Sequence, residues 1–291
     1  MRLDVAQLQT FAAVIDHGSF DAAAQTLHIT PSAVSQRIRA LEGEFGQTLI
    51  ERVLPARATE AGTRVLRYAR QFQVLADDLQ AELVQAPDTP RAVSISVNAD
   101  SMATWLLPAF ERITHTHGIT LDLHREDEQS KAAMLRAGRV MAAVTADRRA
   151  VVGCRSTRLG VMRYLAVASP SYVDDWLGGR PRLRSDAPIV TFDRSDDLQD
   201  RQFQAHSGKP LTAPRHYVPS AAEHRSAVRL GLGWGMIPQI FCSELLAGGE
   251  LVQVDPRPLD IPLYWQRWKL RSVVLDTVSD LVAGAARATL N

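Results

Sequence analysis

The stretch SFDAAAQTLHITPSAVSQRIRAL, residues 19–41, predicts two helices joined by a four-residue turn. Thr30 is a good N-cap for the second helix, because its hydroxyl can accept a hydrogen bond from an otherwise unpaired helical N–H group. Pro31 follows at the first helical position, where a missing N–H group costs nothing. The second helix therefore carries its own start signal, and we predict that it covers residues 31–42.

The two faces of this second helix differ in polarity. The predicted buried face is apolar and consists of Val34, Ile38 and Leu41. The opposite face holds only donors and acceptors, namely Ser32, Ser35, Gln36 and Arg39. Arginine pairs with guanine and glutamine with adenine in the major groove, so the pattern indicates a DNA-binding helix-turn-helix. The alternative is a surface helix whose polar face is only solvated.

Length and charge limit how such a helix could work. A chain of 291 residues is long enough for two domains, and its net charge of +1 does not indicate a nucleic-acid binder. Residues 1–90 hold eight arginines and no lysine against eleven acidic residues, a net charge of −3, whereas residues 91–291 have a net charge of +4. DNA binding would therefore require the N-terminal arginines to cluster on one side, and dimerisation would double that cluster.

Other compositional features point to the cytoplasm. The two cysteines, Cys154 and Cys242, lie far apart and lack metal-ligand spacing, so two buried free thiols are expected. The N-terminus lacks the basic-then-apolar pattern of a signal peptide, and no apolar run approaches the ~20 residues of a membrane span. We expect neither a cofactor nor a metal, and no membrane contact.

Around the central stretch, the pattern predicts a winged domain and a long helix. Residues 3–16 form a first amphipathic helix, and the apolar segment TLIERV before Pro55 predicts a wing. Residues 59–86 form a long helix with one apolar seam at near-heptad spacing, consisting of Val65, Phe72, Leu75, Leu79 and Leu83. We interpret it as a dimerisation helix, the alternative being a helix packed on its own domain. Residues 87–91 follow as a hinge.

From residue 92 the pattern changes to alternating strands and helices, which predicts a parallel sheet with covering helices. Strands are predicted at 93–99, 119–127, 139–147, 154–159, 163–169, 187–193, 215–220, 232–237, 250–255 and 262–270, and helices at 101–113, 129–137, 171–177, 197–206, 221–230, 238–247 and 272–289. Two crossings near residues 163 and 260 would divide residues 92–291 into two α/β lobes with a cleft between them. Lobe 1 covers about 92–162 and 266–291, and lobe 2 about 163–265.

The N-terminal 65 residues resemble the LysR-type transcriptional regulators. The segments that carry the resemblance are LQTF, GSFDAA, TLHITPSAVSQRIRALE and FGQTLIER. The resemblance implies a winged helix-turn-helix over 1–58, a dimerising linker helix over 59–86, and a two-lobed effector-binding domain over 92–291 like the type II periplasmic binding proteins. It also implies a homodimer, a homotetramer and contact with RNA polymerase.

The resemblance extends through the second half of the chain. Six segments resemble the ArgP/LysG branch of that family, namely NADSMATWLLPAF (98–110), HREDEQS (124–130), AGRVMAAVT (137–145), LQDRQF (198–203), GLGWGMIP (231–238) and PLYWQRWKL (262–270). This implies a regulator that senses lysine or arginine and controls genes such as a basic amino-acid exporter. Its expected partner is double-stranded DNA carrying an interrupted inverted repeat.

Site residues are predicted from their positions along the chain. On the recognition helix we expect base contacts from Gln36 and Arg39, with Ser35 and Arg37 beside them. The expected phosphate contacts are Thr30, Ser32, Arg52 and Arg57. In the cleft we expect the effector to meet strand ends and helix starts. Those candidates are Asp100, Ser101, Asp127, Thr145, Asp147, Asp197, Ser220 and Glu223. For any one of these acids, a solvated surface charge or a helix cap is the alternative.

Support for an enzymatic function is weak. The segment GLGWG follows a predicted helix and does not connect a strand to a helix as a dinucleotide loop does. His115 and His117 lack further ligands at metal spacing. We therefore expect a regulator and not an enzyme. The alternatives are a LysR-type regulator of another small molecule, a solute-binding module, or a DNA-bound structural or replication-associated factor.

Overall fold

The computed structural model describes residues 4–83, 91–111, 113–126 and 128–290. Two predicted features lie outside these residues. One is Asp127, a predicted effector contact. The other is residues 84–90, which include the end of the predicted long helix and most of the predicted hinge.

The N-terminal part begins with three short helices, α1 (Val5–His17), α2 (Phe20–Thr26) and α3 (Pro31–Phe45). Each helix starts at a side-chain cap, because Asp4, Ser19 and Thr30 accept hydrogen bonds from backbone N–H groups two or three residues later. The cap at Thr30 is the predicted one. α3 runs beyond its predicted end at residue 42, since it is Gly46, with φ of 63°, that adopts the left-handed conformation ending it.

A small wing follows, as predicted. β1 (Ile50–Glu51) pairs antiparallel with β2 (Arg57–Ala58). The Glu42 carboxylate on α3 accepts a hydrogen bond of 2.8 Å from the backbone N–H group of Leu49, which ties the wing to the recognition helix. The helices and the wing share one apolar core, whose fully buried members include Phe11, Val14, Val34, Ile38, Leu41, Leu49 and Ile50.

The long helix α4 (Glu60–Leu83) has two contact surfaces and one exposed apolar surface. Thr59 caps it, accepting a hydrogen bond of 3.0 Å from the Gly62 N–H group. Leu66 and Ala69 are buried against the N-terminal core. The Arg67 guanidinium donates a hydrogen bond of 2.8 Å to the carbonyl oxygen of Val152, in the C-terminal part. A third surface stays exposed and apolar, consisting of Tyr68, Phe72, Leu75, Leu79 and Leu83.

The C-terminal part is built on a six-stranded mixed sheet with the strand order β4-β3-β5-β10-β6-β9. Its strands are β3 (Arg91–Val97), β4 (Ile119–Arg125), β5 (Ala142–Thr145), β6 (Cys154–Ala168), β9 (Gly235–Pro238) and β10 (Val252–Trp268). A separate parallel pair consists of β7 (Ile189–Thr191) and β8 (Arg215–Tyr217). The helices are α5 (Ala99–Ser101), α6 (Ile113–His117), α7 (Glu128–Ala137), α8 (Pro170–Leu177), α9 (Leu198–Ser207), α10 (Ala221–Arg229), α11 (Gln239–Ala247) and α12 (Val273–Thr289).

These elements form two lobes. We call β3–β5 with α5–α7 and α12 lobe 1, and β7–β9 with α8–α11 lobe 2. The long strands β6 and β10 pair with each other and run through both lobes. Opposite residues Arg163 and Asp260 join them through two hydrogen bonds of 2.8 and 2.9 Å. The architecture is the predicted two-lobed, type II binding-protein fold behind a winged helix-turn-helix.

Three element predictions were wrong in detail. The separate strands predicted at 154–159 and 163–169 form the single strand β6, and those predicted at 250–255 and 262–270 form β10. Three prolines interrupt the sequence pattern of β10, and bulges interrupt its pairing with β6, but the two strands continue because each pairs with the other. The predicted helix 101–113 is a series of short turns. α5 is followed by a π-helix over Met102–Leu106 and a 3₁₀ turn over Leu107–Phe110, where Pro108 removes a helical donor.

Candidate DNA-reading surface and ligand cleft

The recognition helix α3 exposes a polar face on a buried apolar base. Val34, Ile38 and Leu41 are at most 1% exposed. Ser32, Gln36 and Arg39 are exposed on the other side, and Ser35 is partly buried beside them. The apolar face therefore positions the helix on α1 and α2, so that its polar side chains are available to base edges.

The other predicted DNA contacts surround this face. The Thr30 hydroxyl is 2.9 Å from that of Ser32, so the cap and the first exposed serine form one polar group. The Arg37 guanidinium donates a hydrogen bond of 3.2 Å to the Thr10 hydroxyl on α1, which holds it beside the helix. Arg52 and Arg57 are exposed in the wing. The predicted DNA contacts thus lie on the recognition helix, its cap and the wing, and their assignment to phosphates and bases stays a prediction.

A cleft of about 660 Å³ lies between the two lobes. Lobe 1 lines it with the end of β3, the start of α5, the end of β4 and Lys131 of α7, and lobe 2 lines it with the loop after β7 and the start of α10. The volume fits a small ligand. The lining is strongly charged, with the carboxylates Asp100, Glu126, Asp193 and Asp196, and the basic side chains Arg125, Lys131 and His224.

Asp100, in α5, is a lobe 1 carboxylate of the lining. The phenol of Tyr164, on β6, donates a hydrogen bond of 2.7 Å to its Oδ2 atom. Burial raises the pKa of Asp100 above its ordinary value. The hydrogen bond from Tyr164 and the charge of His224 oppose that rise, while the negative charge of Asp196 adds to it. The pKa of Asp100 therefore depends on charged groups of lobe 2, across the cleft.

Asp193 and Asp196 are held by a tight loop of lobe 2. The Oδ1 atom of Asp193 accepts hydrogen bonds from the N–H groups of Ser195 and Asp196, at 2.7 and 3.1 Å. The carboxylate of Asp196 accepts one from Phe192 at 2.8 Å and one from Leu198 at 3.1 Å. These bonds to backbone donors orient both acids before any ligand arrives.

The basic side chains of the cleft come from both lobes. Lys131 is only 2% exposed although it belongs to the lining. The Arg125 guanidinium carbon is 5.8 Å from the ring centroid of Phe192, so this contact links the end of β4 to the loop after β7. His224 Nε2 is 3.2 Å from the carbonyl oxygen of Val190. The cleft thus offers a ligand both cationic and anionic groups.

The predicted effector residues fall in different places. Asp100 lines the cleft, and Ser101 is fully buried behind it. Thr145, the last residue of β5, is 5% exposed and accepts a hydrogen bond of 3.0 Å from the Asp147 N–H group. Neither Thr145 nor Asp147 belongs to the lining in the described chain.

Three further predicted residues lie next to lining residues. Asp197 is exposed with a carboxylate oxygen 3.7 Å from Arg201, whereas the preceding residue Asp196 faces the cleft. Ser220 donates a hydrogen bond to Glu223, and this bond lowers the pKa of the Glu223 carboxyl. The pair lies at the start of α10, beside the lining residue His224.

Sequence reasoning missed most of the lining. It did not select Arg125, Glu126, Lys131, Asp193, Asp196 and His224. One available signal was the acid-rich segment DRSDD, residues 193–197, directly after a strand. A second was Lys131, a charged residue on a helix otherwise expected to cover the sheet.

Other chemistry finds little support in the described residues. No group of three metal-binding side chains is found among them. In the same part of the chain, no helix combines the length and apolar character that crossing a membrane requires. Burial raises the pKa of Cys154 to about 11 and that of Cys242 to about 12, so both thiols stay protonated at neutral pH.

Comparison with known proteins agrees with this geometry. Residues 5–63 match the family model for bacterial regulatory helix-turn-helix proteins of the lysR family, and residues 88–287 match the LysR substrate binding domain. The chain therefore belongs to the LysR family of transcriptional regulators. Within that family its relatives are LysG and ArgP regulators, described as regulators and not as enzymes.

Two relatives illustrate the similarity, one of them through both its sequence and its solved structure. The lysine export transcriptional regulatory protein LysG of Corynebacterium glutamicum is 40% identical over 96% of this chain and 97% of its own length. The crystal structure of ArgP from Mycobacterium tuberculosis is 43% identical, with a TM-score of 0.92 over 99% of each chain. The full-length structure of C. glutamicum LysG with bound effector Arg is 38% identical, with a TM-score of 0.85 over 99% of this chain and 100% of that one.

Proposed function

We propose that this protein is a DNA-binding regulator that responds to lysine or arginine and controls genes such as a basic amino-acid exporter. The observation that carries the proposal is the charge of the cleft, where acidic and basic side chains from both lobes face one small volume. A basic amino acid bears a carboxylate and two cationic groups, so it can pair with both kinds of side chain. The Arg-bound LysG relative, with its similar fold, supports the same class of ligand.

The acidic side chains also argue against a neutral or anionic ligand. Desolvating a carboxylate without a cationic partner costs free energy, because the buried charge loses its hydration. A ligand that fills the cleft covers Asp100 and Asp196 and displaces the water around them. A side-chain ammonium or guanidinium group would offset that cost. We therefore place the effector in the cleft and assign Asp100 to its contacts.

We further propose that the active form is a homodimer joined through α4. The exposed apolar surface of this helix continues into a groove of about 420 Å³ that is lined mainly by apolar side chains of α1, α3, α4 and the wing. Tyr68 and Phe72 belong to both surfaces. A second copy of α4 would cover this face and place two recognition helices on an interrupted inverted repeat. We expect the assembled form to be a tetramer that contacts RNA polymerase. We expect it to act in the cytoplasm, where the chromosome lies.

The test combines ligand binding with DNA binding. Calorimetric titration of the full-length protein should show binding of lysine or arginine, and neither leucine nor glutamate should compete. Footprinting on the DNA upstream of transporter genes next to the gene of this protein should show protection of an interrupted inverted repeat. The protection pattern should change when lysine or arginine is added. If another class of small molecule bound in place of the basic amino acids, the protein would be a LysR-type regulator of that molecule.

A further inference from the structure

The long helix α4 is docked on lobe 1 of its own chain. The Arg67 guanidinium donates its hydrogen bond of 2.8 Å to the carbonyl oxygen of Val152, in the loop between β5 and β6. Val74 is 9% exposed and belongs to the apolar core of the C-terminal part. Asp78 forms an ion pair of 3.2 Å with Arg91, the first residue of β3. These three α4 residues are spaced i, i+7 and i+11, so one helical face meets lobe 1 over roughly three turns.

Two glycines of lobe 1 allow α4 to come this close. Gly138 directly follows α7 and Gly153 directly follows Val152, and both have a positive φ, of 70° and 85°. A methyl group added to Gly138 would lie 2.8 Å from the Arg67 Cα atom, and one added to Gly153 would lie 3.0 Å from the Arg67 guanidinium. Any larger residue would push the helix away. We call Gly138, Val152 and Gly153 the glycine seat of Arg67.

The helix α7 connects this seat to the ligand cleft. Lys131, on α7, lines the cleft and is only 2% exposed. Met134 and Leu135 fix the same helix in the lobe 1 core. Gly138 follows the end of α7, seven residues or about 10 Å beyond Lys131. A short helix packed in this way moves as one body, so a shift at its cleft end also shifts its end at Arg67.

The turn of α4 that holds Arg67 also reaches the other two surfaces of the helix. The Arg67 guanidinium carbon is 5.1 Å from the ring centroid of Tyr68. Tyr68 belongs to the exposed apolar surface through which we propose the dimer forms. Leu66 and Ala69 are buried in the N-terminal core. A displacement of Arg67 would therefore act on both the dimer interface and the domain that carries the recognition helix.

We propose that the contact between Arg67 and the glycine seat is the junction through which an effector in the cleft changes DNA binding. The inference rests on the proposed function and adds the contact that carries its response. An effector that contacts Lys131 repositions α7, and the seat transmits this shift to α4. The ion pair between Asp78 and Arg91 holds the helix against lobe 1 beyond the seat, so that the shift turns α4 instead of releasing it.

Two substitutions weaken the junction outside the cleft. Gly138→Ala inserts a methyl group between α7 and α4, and Arg67→Met removes the hydrogen-bond donor but keeps a long unbranched side chain. Fluorescence anisotropy measures affinity for the operator duplex found by footprinting, with and without saturating lysine or arginine, whichever calorimetry shows to bind. In the unsubstituted full-length protein, the amino acid should change operator affinity by about 5- to 150-fold. Both variants should still bind the amino acid and the duplex, but the change should fall below about twofold.

Gly208→Ala is the matched control. Gly208 ends α9, a helix of ten residues like α7, and its φ of 71° matches that of Gly138. Nothing lies within 4 Å of a methyl group added there. The control thus carries the same backbone strain without a wedge, and it should respond like the unsubstituted protein. Arg67→Met leaves the backbone of α7 unchanged, so it decides the question if Gly138→Ala does not fold.

Hydrogen exchange in the absence of DNA gives a second measurement at the junction itself. The bound amino acid should change amide exchange over residues 64–70 of α4 in the unsubstituted protein and in Gly208→Ala, but not in the two junction variants. Junction variants that keep the full change in operator affinity would overturn the inference. So would unchanged exchange over residues 64–70 in a protein whose operator affinity does respond. If the unsubstituted protein bound neither lysine nor arginine, the proposed function itself would fail.

Discussion

The recognition helix and the cleft both present polar side chains to a ligand, but the chain builds them in opposite ways. The exposed face of α3 comes from a single helix, and its Thr30 cap, its apolar base and its terminal glycine are all nearby in sequence. The charged groups of the cleft come from four separate segments between residues 100 and 224. A local pattern therefore specifies the first surface, whereas chain topology assembles the second.

The two regions also differ in how they are stabilised. The N-terminal core is small, so each large side chain supplies a substantial part of it. The C-terminal part combines a much larger apolar core with buried polar groups such as Asp255. A substitution that disrupts the N-terminal core should therefore abolish DNA binding and preserve ligand binding. A substitution that disrupts the C-terminal core should abolish ligand binding and preserve DNA binding.

The largest effect is expected for Phe11→Ala. Phe11 is fully buried in the N-terminal core, and truncating a buried phenylalanine costs about 3–5 kcal/mol, because a cavity replaces its contacts. Thermal unfolding should show loss of the N-terminal helices at lower temperature, and specific DNA binding should be lost with them. Arginine binding in the cleft should change less than about twofold, since the lobes keep their own core. Loss of both activities together would contradict the independence of the two regions.

A smaller loss of stability is expected for Asp255→Ala in lobe 2. The Asp255 carboxylate has no exposed surface and accepts hydrogen bonds from Gln202 at 2.9 Å and from the Arg257 guanidinium at 3.1 and 3.2 Å. Because the Arg257 side chain is half exposed and can be hydrated, we expect about 1–3 kcal/mol and not the larger cost of stranding a buried charge. Denaturant unfolding measures the change, with Asp197→Ala as a control expected to cost little.

Arg39→Ala should act on recognition without affecting stability. Arg39 is exposed on the polar face of α3, so its removal leaves the core unchanged. We expect DNA affinity to fall by about 1–3 kcal/mol and sequence preference to relax, because a base-edge contact is lost. Gel-shift titration against the operator and a scrambled duplex tests this. A mutant that weakens both duplexes equally would instead place Arg39 on phosphates.

The smallest expected effect is on how the stability of lobe 2 depends on pH. Burial raises the pKa of Asp255, but hydrogen bonds from Arg257 and Gln202 outweigh burial, so the pKa lies below its ordinary value in the folded protein. The stability from this group is therefore present above the pKa of an unfolded aspartate and is lost as the pH falls through the lower, folded value. As the pH is lowered through the acidic range, the unfolding free energy of the native chain should approach that of Asp255→Ala.

Much of the N-terminal part was predictable from its residues. Ser19, Thr30 and Pro31 mark helix starts by local chemistry that tertiary packing does not alter. The cleft was predictable only as a location. Position along a strand end selects Asp197 as readily as Asp196, and the difference is the direction of the loop, which the hydrogen bonds from Phe192 and Leu198 to Asp196 determine.

The long strands show the same limit. The prolines at 256, 258 and 262 indicate a break, yet β10 continues from Val252 to Trp268, because β6 supplies partners along most of its length. Sequence alone determined the recognition helix, its polar face and the apolar seam of α4, since these depend on helical periodicity and capping. Only the tertiary structure decided which charges meet in the cleft, because residues distant in sequence face each other only after the strands pair and the loops take their direction.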